Sequence, residues 1–593
     1  MGTFIHVFLS FCTLHLFVNF STTVDASRTP WTNPNARKAR SVNTPVPIEC
    51  KMGPWSSWTQ CNSCTDKAFR YRLLEKPSQF GGSQCVHTLW DSLVCPRATT
   101  QCMVPDYCGE SFTCANSGRC ISQSLKCNGE NDCGDFSDED ACTSFNRRQD
   151  KCATLLTIPG AKRGTQGYNI LTGDFANQVL DPEYFGGMCD YVYNGEWRKF
   201  QYDAFCDSLH YNDEVKNYRK PYNYHNYRFV AEATTEGSHE YFEDMESMLK
   251  ARKTFSSVNA GVTVGVYYVE AGLSGSSESE FLKNVTKYEN KELGFVRLWS
   301  KVQTAHFKMR SSDLMLHDDF YFALMDLPEQ YDFGMYSNFL KTFGTHYVTE
   351  GVMGGNLEYV FVLNKTTMAT SNVDSERTEL CIGASLGISY PVTNEITVGG
   401  KIKAKGCGET FESVRSNSSS SSVVEDVITS VKGGVTETSA GLLVIRDTDT
   451  YRKWGASLKY HPALIDFELM PIYELVRFST AAGHAGARVT NLERALDEYL
   501  QQFDPCRCSP CRHNGMPVLA GTSCKCLCKS GFQGKACERT LRRDAKTDGL
   551  WSCWGTWSSC TTGRKTRSRS CNNPAPDGGG AFCLGSSTQT RHC

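Results

Sequence analysis

Neither sign of charge dominates this sequence: 62 lysines and arginines stand against 64 aspartates and glutamates, a formal net charge of -2. Composition therefore excludes a strongly basic nucleic-acid binder, and equally a protein drawn to anionic membranes by bulk charge. Beyond Phe20 no stretch approaches the roughly eighteen consecutive apolar residues of a membrane helix, so no ordinary transmembrane helix is expected. Nucleophile-elbow and zinc-helix motifs are absent, which deprives a secreted hydrolase of its usual chemistry, and no catalytic residue is assigned. His346 follows Thr345, but no motif supplies it with a nucleophile or an orienting acid, and it reads as a packed structural histidine.

What is abundant is cysteine. Thirty are clustered toward both ends of the 593 residues, the usage of an oxidising compartment. Phe4 to Phe20 is apolar enough for a signal-peptide core, although no Lys or Arg precedes it, and 1–26 is expected to be cleaved after Ala26. Arg37-Lys38-Ala39-Arg40 reads as a second cleavage site, making 27–40 a propeptide and Ser41 the first mature residue. The chain is expected to be secreted and initially soluble.

Two small modules open the mature chain. Residues 49–103 hold Cys50, Cys61, Cys64, Cys85, Cys95 and Cys102, with Trp55 and Trp58 before Cys61 and then Arg70 and Arg72. This resembles a thrombospondin type 1 repeat. The resemblance implies alternating Trp and Arg layers in place of a hydrophobic core, and C-mannose on Trp55 and Trp58. Residues 106–143 hold Cys108, Cys114, Cys120, Cys127, Cys133 and Cys142, and the run from Cys127 to Glu139 is acidic. This resembles a low-density-lipoprotein-receptor class A module. Such a module implies a structural Ca2+ held by side chains of Asn128, Asp132, Asp138 and Glu139 and by the carbonyls of Leu125 and Glu130. Asn128 stands where Asp is usual, so one charge is missing, and Asp135 is expected to brace the loop.

Residues 145–505 hold few cysteines and enough apolar sequence for a core. Tyr336, Phe339 and Phe343 recur at helical spacing, so a short amphipathic helix should end at Gly344. A strand should follow and stop at Gly354-Gly355, a pair that would serve as a hinge. Polar stretches Glu240 to Lys253 and Ser418 to Lys432 look helical. Two segments show period two: Val258 to Tyr268, with Val262, Val264 and Val266 on its apolar face, and Cys381 to Cys407. In the second, Leu386, Ile388, Ile396, Val398 and Ile402 share the apolar face. Folded so that paired numbers sum to 788, Cys381 faces Cys407, Leu386 faces Ile402 and Tyr390 faces Val398, whereas a one-residue slip would mix the faces. About nine to eleven alternating residues span a bilayer, but periodicity alone fits the half-buried strands of a soluble sheet equally well.

The run from Tyr336 to Phe343-Gly344-Thr345-His346-Tyr347 matches the signature of the membrane attack complex/perforin family. The fold class implied is multidomain α+β. A central perforin-like domain with a bent antiparallel sheet and two helical clusters, which convert to transmembrane β-hairpins, is flanked by small disulfide-rich modules.

Residues 506–538 resemble an EGF-like module with seven cysteines, and 547–593 a second thrombospondin repeat with five, carrying Trp551, Trp554 and Trp557 as further C-mannose candidates and Arg564, Arg567 and Arg569. The two irregularities cancel if Cys506 bonds Cys553. The module resemblances imply bonds of Cys108 with Cys120, Cys114 with Cys133, and Cys127 with Cys142. In the terminal modules they imply Cys508 with Cys524, Cys511 with Cys526, Cys528 with Cys537, Cys560 with Cys593, and Cys571 with Cys583. Cys152 can pair with Cys189, and Cys381 with Cys407. Cys206 then remains, in a Tyr-rich stretch from Tyr193 to Tyr227 where exposure is expected. It is either a free thiol or an interchain bond. Sequons mark Asn284, Asn364 and Asn417 as N-glycosylation candidates.

This order of modules is similar to that of the terminal complement proteins. Runs such as Val192 to Trp197 and Lys301 to Phe307 resemble the member that carries a lipocalin-like partner. The resemblance implies a non-enzymatic pore-forming subunit, bound to a small lipocalin-like gamma chain through Cys206 and non-covalently to a beta chain. It would dock on the earlier terminal assembly, enter the target membrane and help recruit the ninth component. An extracellular adhesion protein could use the same small modules, but would not need paired alternating hairpins.

Overall fold

The computed structural model describes most of residues 44–592. Outside the description lie 1–43, 96–107, 145–151, 201–208, 256–292 apart from Asn284, 371–423, 541–545, Cys593 and several shorter gaps.

The centre of the chain is a sheet of eight described strands. They are β1 (Gln166–Asn169), β2 (Asp174–Gln178), β3 (Tyr224–Phe229), β4 (Thr235–Phe242), β5 (Leu293–Met309), β6 (His346–Asn364), β7 (Val424–Lys432) and β8 (Ala463–Pro471). The helices packed on it are α1 (Met245–Phe255), α2 (Phe333–Phe343), α3 (Thr436–Val444), α4 (Thr448–Ser457) and α5 (Arg488–Gln502). β5 and β6, of 17 and 19 residues, pair antiparallel along most of their length. At about 3.3 Å per residue, β6 is roughly 60 Å long. One half of this pair is flanked by β4 and β7, the other by β3 and β8, with β1 pairing the start of β6.

The signature helix α2 starts where the Asp332 carboxylate accepts the Met335 N–H at 3.0 Å, an N-cap that satisfies an otherwise orphaned donor. It ends at Gly344, whose φ of 90° suits glycine and whose N–H reaches the Leu340 carbonyl at 2.9 Å. Its buried face, Tyr336, Phe339, Leu340 and Phe343, packs with Phe320, Leu324 and, from α5, Leu492 and Tyr499. Each such side chain contributes about 1.5–3 kcal/mol on burial.

Four expectations are corrected. β6 does not stop at Gly354-Gly355 but runs through to Asn364, because β5 pairs it throughout. Glu240 to Lys253 is a strand as far as Phe242 and helical from Met245. Of Ser418 to Lys432, Val424–Lys432 is strand β7: β6 supplies its backbone partners from Asn356 to Leu363, and Val427, Ile428, Thr429 and Val431 are β-branched. Polarity had suggested a helix there, and sheet pairing overrides it. The stretch Tyr193 to Tyr227 is likewise not uniformly exposed, since Tyr218, Tyr224 and Tyr227 are core residues while Tyr193 faces water.

The described part of residues 49–95 rests on α2. Trp90 Nε1 donates to Ser337 Oγ at 3.3 Å and Tyr71 meets Phe333 edge-on. It also clasps the EGF-like module: Gln79 Nε2 donates to the Ser509 carbonyl at 2.9 Å, and the Ser509 N–H returns to Gln79 Oε1 at 2.8 Å.

Candidate functional site

The two faces of the β4–β5–β6–β7 half of the sheet carry separate cores. On one, Val296, Leu298, Tyr359 and Phe361 pack against Trp454 and Leu458 of the α3–α4 region. On the other, Phe242, Phe295, Val360, Val362 and Ile428 lie under Met245, Met248 and Leu249 of α1, with Met516, Val518 and Leu527 of the EGF-like module in the same cluster. Segment 256–292 runs from the end of α1 to the start of β5, and 371–423 runs from a short helix, Lys365–Thr370, to the start of β7.

Where the two halves of the sheet meet, the β5–β6 register shifts between Gln303 and Ala305, opposite Gly354. A Cβ on Gly354 would sit 1.8 Å from the Val302 carbonyl oxygen, and one on Gly355 within 2.6 Å of Trp454 and Leu458. After β7 the chain turns at Gly433 and Gly434, with φ of 83° and 86°. Trp454 Nε1 donates to the Gly433 carbonyl at 2.9 Å. The two glycine pairs therefore meet beside one buried tryptophan. The second pair is a plain Gly-Gly turn signal in the sequence.

These features coincide with a family match: the MAC/Perforin domain covers residues 164–509. The chain belongs to the MAC/perforin family. Around the MAC/perforin domain, 106–142 match the low-density lipoprotein receptor domain class A, and 511–539 the EGF-like domain of complement components C8 alpha, C8 beta and C6. The complement component C8 alpha chain of Oryctolagus cuniculus is 43% identical over 97% of this chain and 99% of its own length. The C8 beta chain of Mus musculus is 36% identical over 94% of this chain and 92% of its own. Complement component C6 of Bos taurus is 32% identical over 92% of this chain but only 57% of its own length.

Within the family signature, His346 is fully buried, its Nδ1 2.9 Å from Thr345 Oγ1. Burial pushes its pKa down to about 3, so the ring is neutral and held in the core.

The class A loop brings its acids together. Asp138 Oδ2 accepts the Asp132 N–H at 2.7 Å, Asp132 Oδ2 accepts Asn128 Nδ2 at 2.8 Å, and Glu139 Oε1 accepts the Asn128 N–H at 2.8 Å. Asp132 and Asp138 are buried, and Asp138 Oδ1 has no hydrogen-bond partner. Burial, with repulsion from Glu130 and Asp138, pushes the Asp132 carboxyl up to about 6 despite the Asn128 bond. Two buried carboxylates with an orphaned oxygen are short of positive charge, which fits a hard divalent cation. Asn128 Oδ1 already accepts the Glu130 N–H at 2.8 Å. Asp135 spends its oxygens on Asn116 and Ser137, and Leu125 is buried. The same loop is docked on the perforin domain: Arg219 forks onto Glu130, and Arg119 reaches Asp181 and Asp318, each at 2.7 Å.

In the first repeat Arg70 lies between Trp55 and Trp58, at 4.7 and 4.4 Å, and Arg72 stacks on Trp55 at 4.3 Å. In the last, Arg567 lies between Trp554 and Trp557 and Arg569 between Trp551 and Trp554, whereas Arg564 only opens the strand. Disulfides join Cys108–Cys120, Cys114–Cys133, Cys127–Cys142, Cys152–Cys189, Cys506–Cys553, Cys508–Cys524, Cys511–Cys526, Cys528–Cys537 and Cys571–Cys583. Cys560 is also disulfide-bonded. Asn364 ends β6, half-buried, and Asn284 is half-buried in helical conformation. Cys206, Cys381, Cys407, Cys593, Asn417 and the hairpin residues Val262, Val264, Val266, Leu386, Ile388, Ile396, Val398 and Ile402 lie outside the described residues.

Proposed function

We propose that this chain is a pore-forming subunit of the terminal complement assembly, acting as the alpha chain of the eighth component, and not an enzyme. In this reading α1 with 256–292, and the segment 371–423, unfold from the soluble form and lengthen β4–β5 and β6–β7 into amphipathic hairpins that enter the target membrane.

One observation carries this reading. β6 and β7 pair from Asn356 opposite Lys432 to Val362 opposite Asp426, numbers that sum to 788. That is the frame in which alternation, with Cys381 set opposite Cys407, pairs Leu386 with Ile402. A one-residue shift at Leu363 opposite Val424 must be taken up for the ladder to run on in frame. The β4–β5 ladder, with Phe242 opposite Phe295, extends likewise to set Val264 opposite Leu273 and Val262 opposite Gly275. Continued alternation then puts Val262, Val264 and Val266 on the Phe242 face, and Leu386, Ile388 and Ile402 on the Val360 and Ile428 face. Those are one face of one sheet, the requirement for a lipid-facing wall.

The higher identity to a C8 alpha chain than to a C8 beta chain favours the alpha role. With it come proposed partners: a gamma chain bonded at Cys206, a beta chain, the earlier terminal assembly and the ninth component. The protein is secreted into plasma, carries structural Ca2+ in the class A loop, and takes C-mannose on its ladder tryptophans. Gly354 and Gly355 are proposed as the hinge where β5 and β6 change register. Dye release from liposomes by the reconstituted assembly tests the reading. Stable adhesion to liposomes that stay sealed would favour the adhesion protein.

A further inference from the structure

We infer that Glu358 is the positioning residue of α1: its carboxylate, shared between Arg297 of β5 and Arg252 of α1, latches that helix to the sheet, and α1 leaves when Arg252 lets go. The latch has this role in membrane entry only if the chain forms pores as proposed above.

Glu358 projects from β6 and is 4% exposed, among the most secluded charges of the described residues. Arg297 Nε donates to its Oε1 at 2.6 Å and Arg252 Nε to its Oε2 at 2.8 Å. Burial raises the carboxyl pKa, but the two guanidiniums outweigh it and hold the group below its ordinary range, so it is an anion. Among the described residues, α1 also packs on the sheet and the EGF-like module through Met245, Met248, Leu249 and Ala251. Methionine and leucine side chains repack when a helix slides. The paired charges instead fix one position along the strand, because a displaced guanidinium leaves a buried carboxylate oxygen unmet.

The two arginines differ in what their loss does. When α1 departs, Arg252 passes into water and Glu358 keeps Arg297, so the sheet retains a neutral pair. The charge is in balance without the helix, and release strands no buried anion. A helix that must leave once, on cue, is suitably held by such an interaction. Arg297, by contrast, keeps Glu358 compensated after release. Removing it makes Arg252 the carboxylate's main counter-charge and should hold α1 down.

Amide hydrogen exchange of residues 245–255 in the full-length soluble chain tests this. Arg252→Met should speed exchange across α1 by about tenfold or more, as expected for breaking a buried pair, and Arg252→Lys should do so to a smaller extent. Arg297→Met should leave α1 exchange at or below the wild-type rate, even if it lowers overall stability. Lys365→Met removes the more exposed pair with Glu243, just before α1, and should change little. Unchanged exchange in Arg252→Met would overturn the latch. So would equal loosening by the two arginine variants, which is the mark of general destabilisation. The pore reading fails on a different observation, wild-type assemblies that leave dye-loaded liposomes sealed, whereas the ordering of exchange rates is read without a membrane.

Discussion

Arg219 and Glu130 meet fork to fork: Nη1 to Oε1 at 2.6 Å and Nη2 to Oε2 at 2.8 Å, with the guanidinium also over the Phe185 ring at 4.0 Å. One residue belongs to the perforin domain and the other to the class A loop. The proposed metal loop is therefore also a docking element, with Leu125 against Gly187 beside it. Arg219→Ala should cost about 2 kcal/mol, the range for hydrogen bonds to charged groups. It should make the linker between 143 and 152 more sensitive to protease. Unchanged cleavage would mean that the ion pair does not hold the module.

Removing divalent cations should lower the melting temperature and loosen the same linker, because Asp132, Asp138 and Glu139 then repel one another. Differential scanning calorimetry with and without chelator checks this, and identical traces would remove Ca2+ from the account.

The metal-free loop has a definite pH dependence. Asp132 has a folded pKa of about 6, above its ordinary 3.8. The folded form therefore binds its proton more tightly than the unfolded chain does. The resulting stability is fully present below about 4 and is lost as pH rises through about 6. In chelator, melting at pH 5 should exceed that at pH 7.5. With calcium the order should reverse, since protonation near pH 6 competes with the metal. Chelated samples with the same melting point at both pH values would contradict the assignment.

Gly354→Ala places a methyl 1.8 Å from the Val302 carbonyl oxygen, and Gly433→Ala strains a backbone at φ 83° close to the Gly354 oxygen. Each should cost more than about 2 kcal/mol and reduce secretion. Gly483→Ala, where a Cβ meets nothing within 4 Å, serves as the control. Equal secretion of all three would show that close backbone approach is not why those glycines are there.

Cys206→Ser should release a small second chain on a non-reducing gel and leave the melting transition of the perforin domain in place. Alkylation of Cys206 in native, unreduced protein would instead identify it as a free thiol.

The signature helix and its end at Gly344 were legible because apolar spacing and the terminal glycine agree there, whereas the Asp332 N-cap was seen only in the structure. The Trp–Arg ladders were legible only through the resemblance of those modules to thrombospondin repeats, not from composition. Val424 to Lys432 is polar enough to read as a surface helix, whereas its strand state depends on β6, which is distant in sequence. The same limit hid the Arg252–Glu358–Arg297 cluster, whose members are more than forty residues apart in sequence. Local periodicity carries no information about which charges will meet. The β6–β7 pairing was not legible, since the 788 frame was drawn on Cys381 to Cys407, which lies outside the described residues, and Val424 to Lys432 reads as a helix.

The central claim is that the two segments become strands with one lipid face. Single fluorophores at Ile388→Cys, Ser389→Cys, Val264→Cys and Thr263→Cys, read during assembly on liposomes, test it most directly. The account predicts a blue shift and quenching by lipid-borne quencher at 388 and 264, and neither at 389 and 263. Equal response at neighbouring positions, or no response at any of the four, would contradict it.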